Sequence, residues 1–366
     1  MSGDVSRGSV SRGSVSRGAV SAPGKMMVGG EYAVLAGAPA VVAAVQARAR
    51  VHFVTAAVAE ARETAAAARH EAGDGWDGTA IASPERFPEA FAARRLAEQA
   101  LGPVPGRLAV DVSALRRAGQ KLGVGSSAAA AAAASAAVHA WHGADVAAPE
   151  VRARALRFAL EGHREVAPRG SGADVAAAAL GGFVRFRRPG GVEDPAYEAA
   201  ALPAPEGLSL RVVWTGEAAS TRELIAKVEA LRVKDPALHG RCMDRLADEA
   251  AAFVSAFETG VARPVVDAAA RYHAAMKALG EAADAPIVEA RLDRAATLAA
   301  AHGGAAKPSG AGGGDVALAF FESGAEADAF TAAAASAGLT PLALRLGGPG
   351  PLPGDEPSKD EAAEDV

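Results

Sequence analysis

The sequence predicts an α+β protein of about two domains, on three observations. At 366 residues the chain exceeds what a single core usually supports. Segments of period-two alternation are interleaved with long alanine-rich stretches, in an order unlike a regular βαβ array. Apolar residues make up 50% and charged residues 22%, the balance of a soluble globular chain, yet aromatics are only 5%. Scarce aromatics favour many helices with small packed faces over an aromatic-rich sandwich.

The elements follow in order. Residues 6–10 (SRGSV), 11–15 (SRGSV) and 16–20 (SRGAV) are near-copies of one pentapeptide. Such a Ser/Gly/Arg repeat cannot bury a core and reads as a disordered tail. Residues 48–55 (RARVHFVT) and 108–113 (LAVDVS) alternate like strands. Residues 126–141 form a helix by alanine content. Residues 181–187 and 208–215 read as strands, and the Pro- and Gly-containing stretch 189–206 between them marks the domain boundary. Residues 220–234 are helical, with Ser220 or Thr221 as N-cap and Glu223 in the first turn. Residues 235–257 and 264–279 are helical too, and 315–321 is a buried strand after a glycine cluster. The end, 351–366, carries six acids against one lysine and reads as a solvated tail.

Composition excludes several functions. A single cysteine, Cys242, rules out an intrachain disulfide and a cysteine-based zinc site and fits a reducing cytoplasm. No stretch has the length and apolarity of a membrane span. A net charge of −5 argues against a general nucleic-acid binder. Between the two tails the chain is nearly neutral, but its charge is uneven. Arg152, Arg154, Arg157, Arg164, Arg169, Arg185, Arg187 and Arg188 face only Glu161, Glu165 and Asp174 within 151–188. The first three suit a solvated helix face. The later ones flank a glycine-rich turn that could meet an anion.

Four segments carry chemistry. In residues 21–37 (SAPGKMMVGGEYAVLAG), Pro-Gly makes a turn and Lys25 leads an apolar run to Glu31 and Tyr32. Alone, Lys25 reads as readily as a solvated turn residue. In residues 120–129 (QKLGVGSSAA), glycines let backbone N–H groups converge and the helix start adds its unpaired donors. That arrangement suits phosphate, with Ser126 and Ser127 able to cap the helix or ligate Mg²⁺; the bland alternative is a glycine turn with a serine cap. The same run, Gly123 to Ala128 with Asp145 downstream, fits the dinucleotide pattern GxGxxA. The polar Arg116 to Lys121 stretch precedes it instead of a buried strand, which disfavours that reading. In residues 168–182 (PRGSGADVAAAALGG), a Gly-Ser-Gly turn delivers Asp174 to a helix start beside Arg169 and Ser171. An aspartate there either caps the helix or orients a nucleophile for phosphoryl transfer. In residues 305–318 (AAKPSGAGGGDVAL), small residues permit close backbone approach to a ligand. The strand that follows favours a held loop over a linker. No GxxxxGK[ST], GxSxG or HExxH pattern occurs.

Together and in this order the segments resemble the GHMP kinase superfamily, with its PGK-type, GLGSSAA-type and GAGGGG-type stretches, over roughly residues 20–348. Within it the chain is most similar to the phosphomevalonate kinase branch. Gly30-Glu31-Tyr32 replaces the GEH of mevalonate kinases, Gly170 to Ala176 (GSGADVA) resembles the GSGxDVA segment, and Trp214-Thr215-Gly216 to Ser220-Thr221 resembles WTG…AST. Lys307 to Asp315 resembles KxSGAGGGD.

The resemblance implies a two-domain GHMP fold: an N-terminal α+β domain over 20–190 holding ATP and the catalytic aspartate, and a ferredoxin-like α+β domain over 205–348. Residues 1–19 and 349–366 would be disordered tails. It implies ATP- and Mg²⁺-dependent transfer to phosphomevalonate in the mevalonate route to isoprenoid precursors, by a cytoplasmic monomer or homodimer. Lys121, Gly123, Gly125, Ser126, Ser127 and Ala128 would cradle ATP, with Ser127 on the metal. Asp174 and Lys25 would be catalytic. Lys25, Glu31, Tyr32, Arg169, Ser171, Gly172, Ser220, Thr221, Gly312, Gly313 and Asp315 would lie on the acceptor side. Mevalonate kinases carry a magnesium-binding glutamate eleven residues before that aspartate; His163 stands here, so that either Glu161 or Glu165 substitutes or serine and ATP oxygens mainly hold the Mg²⁺. Rival readings are a mevalonate kinase, another small-molecule GHMP kinase, a non-catalytic nucleotide-binding relative and, from outside, a dinucleotide-dependent oxidoreductase.

Overall fold

A computed structural model describes residues 18–71, 79–117, 120–217 and 220–354. The repeats before residue 18, the end after 354 and the backbone at 218–219 lie outside the described residues.

The first half runs β1 (Val20–Gly29), β2 (Ala40–Val54), α1 (Ala56–Glu71), β3 (Thr79–Ile81), α2 (Pro88–Leu101), β4 (Arg107–Asp111), β5 (Arg116–Arg117), β6 (Gln120–Lys121), α3 (Ser126–Trp141), α4 (Pro149–Val166), α5 (Ala173–Leu180), β7 (Phe183–Arg187) and β8 (Glu198–Leu202). Most of its strands form one antiparallel sheet in which β2 pairs with β1, β4 and β7. Residues 126–141 take the expected form, whereas the strand expected at 108–113 ends at Asp111 and Ser113 opens a short 3-10 turn. The strand expected at 48–55 is only the end of a longer one, because Ala40 to Val45 are wholly buried and therefore show no alternation. The Pro23-Gly24 turn expected in the first segment is instead a register shift inside β1. A Cβ on Gly24 would lie 2.5 Å from the Val124 carbonyl, so the bulge brings β1 against the loop before α3. Alanine gives α3 a surface flat enough to lie directly on β1 and β2 beneath α2 and α4.

The second half runs β9 (Ser209–Trp214), α6 (Thr221–Lys234), α7 (Pro236–Glu258), α8 (Ala262–Ala282), α9 (Ala290–Ala301), β10 (Ala305–Pro308), β11 (Val316–Phe321), α10 (Gly324–Ser336) and β12 (Thr340–Leu342). Its antiparallel sheet has the order β10-β11-β9-β12, the ferredoxin-like order, with four helices in the first crossover. Ser220 caps α6 by accepting from the Glu223 N–H, as expected.

Both expected domain edges need correction. The stretch 189–206 is not all linker, since β8 pairs with β7 in the first sheet. Residues 349–354 are not tail. After β12 the chain returns to the first domain: the Gly347 N–H donates to Ala44 O, the Gly182 N–H to Gly348 O, and β13 (Leu352–Pro353) pairs with β1. Arg48 fastens this return by donating to the carbonyls of Pro349 and Gly350 at 2.9 and 2.6 Å. Apart from Arg48, the backbone makes these bonds, so the side-chain pattern carries little sign of them. Residues 18–19 also belong to the fold, with Ala19 buried.

One apolar core is continuous across the two halves. The Phe253 ring of α7 packs on Gly29, where a Cβ would meet it at 2.8 Å, and Phe183 and Phe257 stand 5.1 Å apart. No helix among the described residues is long and apolar enough to cross a membrane.

Candidate active site

Segments from both halves meet at a cleft between them. It is open to solvent. Lys25, Arg169, Gly170, Ser171, Asp174 and Thr221 give it a polar side, and Met27, Val34, Leu35 and Ile225 an apolar one. Glu31, Tyr32, His163, Gly310 and Ala311 complete the lining.

At one end lies the start of α3. Gly123 and Gly125 have φ of +73° and +77°, which a side chain disfavours. Among the described residues no side chain caps this helix, so its first N–H groups and positive dipole end face outward for an anion. Ser127 is exposed and Ser126 half-buried, while Ala128 points into the core. The Lys25 chain runs across Gly125, where a Cβ would meet its Cγ at 2.5 Å. The Lys25 N–H donates to Val124 O at 2.8 Å. Lys25 therefore touches both the loop and the cleft. A Cβ on Gly123 would lie 3.1 Å from the Asp315 carboxylate, so Asp315 faces this loop and not the acceptor side. The side chain of Lys121 lies outside the described residues.

Asp174 stands in the first turn of α5, behind Gly172 at φ +79°. Its Oδ1 accepts from the Val175 N–H at 3.0 Å. The Ser171 hydroxyl accepts from the Ala173 N–H at 3.3 Å. Gly172 is set behind this turn against Leu160. Of the eight arginines in the basic stretch, only Arg169 lines the cleft. Arg185 pairs with Glu258, Arg187 donates to Gly37 O, and Arg188 is buried beneath the turn. The positive charge counted along the sequence is thus dispersed in space.

The opposite wall is residues 307–315. Lys307 is fully buried and forms an ion pair with Glu31, itself 3% exposed. Burial pushes the Lys307 ammonium down, and the Glu31 carboxylate pulls it back up. Tyr272 donates to Glu31 O at 2.7 Å, Tyr32 to Ala311 O at 2.6 Å, and Ser309 to Met27 O at 2.9 Å. Burial, then the charge of Glu31, raises both tyrosines, so they act as neutral donors. Glu31 is therefore a structural anchor as well as cleft lining. Its Oε2 is buried and without a hydrogen bond among the described residues. Gly312 and Gly313 do not form the lining as expected. A Cβ on Gly312 would lie 2.0 Å from Ile287 O, and the Gly313 N–H donates to that carbonyl at 2.9 Å. They hold the loop from behind, and Gly310 and Ala311 face the cleft.

Thr221 reaches the cleft, whereas the Ser220 hydroxyl is used as the α6 cap. Neither suggested replacement for the magnesium glutamate reaches the site: Glu161 is exposed and Glu165 pairs with Arg95. His163 does line the cleft. Ser127 presents an exposed hydroxyl, a hard oxygen of the kind that would share Mg²⁺ with phosphate oxygens. Sequence reasoning missed Lys307 and Arg188 as anchors of the two walls. The only signals for them were a lysine in a glycine-rich motif and an arginine pair after a strand.

Comparison with known proteins finds relatives over most of the chain. The GHMP kinases N terminal domain matches residues 89–182, and the GHMP kinases C terminal domain matches residues 253–339. The phosphomevalonate kinase of Streptomyces sp. (strain CL190) is 32% identical, over 84% of this chain and 90% of that protein. The Lin0012 protein of Listeria innocua has the same fold at a TM-score of 0.76 and 21% identity, over 92% of this chain and 100% of that one. The Streptococcus pneumoniae phosphomevalonate kinase, solved with phosphomevalonate and AMPPNP, superposes at a TM-score of 0.68 with 17% identity, over 90% and 99% of the two chains.

Proposed function

Since this chain belongs to the GHMP kinase family, we propose that it transfers the γ-phosphoryl group of ATP to phosphomevalonate, giving diphosphomevalonate and ADP. The observation that carries this reading is the convergence of Lys25, Arg169, Ser171 and Asp174 on one largely apolar cleft beside the uncapped start of α3. The Streptomyces relative supports the choice of acceptor.

The residues divide the work. The N–H groups after Gly125 and the hydroxyls of Ser126 and Ser127 bind the ATP phosphates. A phosphate oxygen of the acceptor bonds to the γ-phosphorus as the bond to the β–γ bridging oxygen breaks, and that electron pair leaves with ADP. Asp174 orients the attacking oxygen; the acceptor is already anionic, so little proton abstraction is required. Lys25 lies between the loop and the cleft, where it offsets charge growing on the transferred group. Arg169, Ser171 and Thr221 hold the polar groups of the acceptor, and Met27, Val34, Leu35 and Ile225 take its carbon chain. Magnesium held by Ser127 and ATP oxygens would supply further charge neutralisation.

The test is ADP release with ATP and Mg²⁺, comparing phosphomevalonate, mevalonate and no acceptor. Turnover dependent on phosphomevalonate is expected. Turnover with mevalonate alone would overturn the acceptor within the right family. Nucleotide binding without turnover would favour a non-catalytic relative.

A further inference from the structure

Arg188 follows β7 and is 1% exposed. A guanidinium that deep normally faces a carboxylate. Here its described hydrogen bonds all go to carbonyls: Nε donates to Ser171 O at 2.7 Å, and Nη1 to Asp194 O at 2.8 Å and Pro195 O at 3.4 Å. The nearby Asp194 carboxylate is occupied elsewhere, accepting from the N–H groups of Gly190 and Ala196 at 3.0 and 2.9 Å. Nη2 is buried and has no hydrogen-bond partner among the described residues; a Cβ on Gly172 would lie 3.4 Å from it. Burial and then Arg164 lower the pKa of the group, and Asp194 only partly opposes them.

This placement is costly for the fold alone. A buried charge without a counter-ion is destabilising, and apolar residues often replace such groups without loss. What the guanidinium touches is the turn 170–172, whose Gly170 and Ser171 line the cleft and whose next helix carries Asp174. A planar fork holds carbonyls from two segments in one fixed plane, a geometry that a compact ammonium does not impose. Its charge is set under the side of the cleft where Arg169 is the exposed cation.

We infer that Arg188 is a positioning residue for the phosphoryl acceptor, fixing the turn before Asp174 through the Ser171 carbonyl and lending its charge to that side of the cleft. The inference rests on the kinase reading for its effect on turnover, but its effect on the turn does not.

The test uses the full chain as wild type, R188K and R188M. Amide hydrogen exchange across residues 168–176 is compared with exchange across the start of α3, without substrate. Steady-state rates with ATP and phosphomevalonate follow. Both variants are expected to exchange faster at the turn and not at α3. Misplacement on this scale should lower kcat of R188M about 100-fold and raise KM for phosphomevalonate but not for ATP. R188K should recover part of the KM, because it keeps the charge, and less of the kcat, because it loses the fork. Unchanged exchange at the turn in R188K overturns the inference whether or not R188M folds. So does an equal rise in both KM values, which marks general loosening. If the wild type turns over no acceptor, the kinase reading fails, and the exchange result still decides whether Arg188 holds the turn.

Discussion

The two walls of the cleft each rest on a buried cation, and the two cations are satisfied differently. Lys307, under the second-domain wall, meets a carboxylate: Glu31 is 276 residues away in sequence and joins it across the two halves. Arg188, under the first-domain wall, meets carbonyls and lies only 17 residues from its Ser171 partner. The ion pair leaves its wall nearly neutral and ties the halves together. The carbonyl-bound guanidinium leaves positive charge beneath the turn 170–172. The comparison teaches that one wall holds the two halves in register, while the other secures a local turn without a carboxylate.

The strongest attempt to break this contrast is at the chemistry. Asp174→Ala should lower kcat by about 10²–10⁴-fold if it acts in proton transfer, and less if it only orients, with ATP affinity and melting temperature unchanged. A wild-type kcat would remove it from the site. Next comes the tie between the walls. Lys307→Met leaves Glu31 buried and unpaired, which should cost about 3–5 kcal/mol in denaturant unfolding. Glu31→Gln combined with it should recover much of that loss; two additive losses would mean that the pair does not act as a unit.

The loop behind the second wall gives a smaller effect. Gly312→Ala places a Cβ on the Ile287 carbonyl at a φ of +79°. It should raise the acceptor KM and destabilise by at least about 1–2 kcal/mol, and an unchanged KM would separate that loop from the cleft. Smaller again is the contrast between neighbours: Ser220→Ala should lower stability by about 1 kcal/mol and spare KM, while Thr221→Val should raise the acceptor KM and spare stability. The reverse pattern would exchange their roles.

The smallest effect is the dependence of stability on pH. His139 is 1% exposed on α3, and burial holds its pKa below the ordinary 6.5. The unfolded chain takes up a proton as pH falls through 6.5 and the folded chain resists, so stability should drop below that pH. His52 and His273 shift in the same direction, also by burial. His139→Leu should flatten the melting temperature between pH 7 and pH 5.5; an unaltered slope would place the proton uptake elsewhere.

What sequence could show follows from the range of each interaction. The turn before Asp174, the loop before α3 and the cap at Ser220 were legible because each is decided within a few residues, by glycines that permit positive φ and by hydroxyls that reach their own helix. The ferredoxin-like half and the two-domain division were legible through motif order. Local pattern misled where burial was complete or the backbone alone made the contacts. Ala40 to Val45 lost their alternation, and 345–354 rejoined the first domain through carbonyls and N–H groups. Only the tertiary structure decided that Gly312 and Gly313 stand behind the cleft, that the arginines of 151–188 scatter, and that Lys307 and Arg188 go inside. A charged side chain looks solvated in any sequence window. For Lys307 burial depends on a carboxylate 276 residues away, and for Arg188 on backbone carbonyls that carry no mark in the sequence; folding alone brings each to its partners.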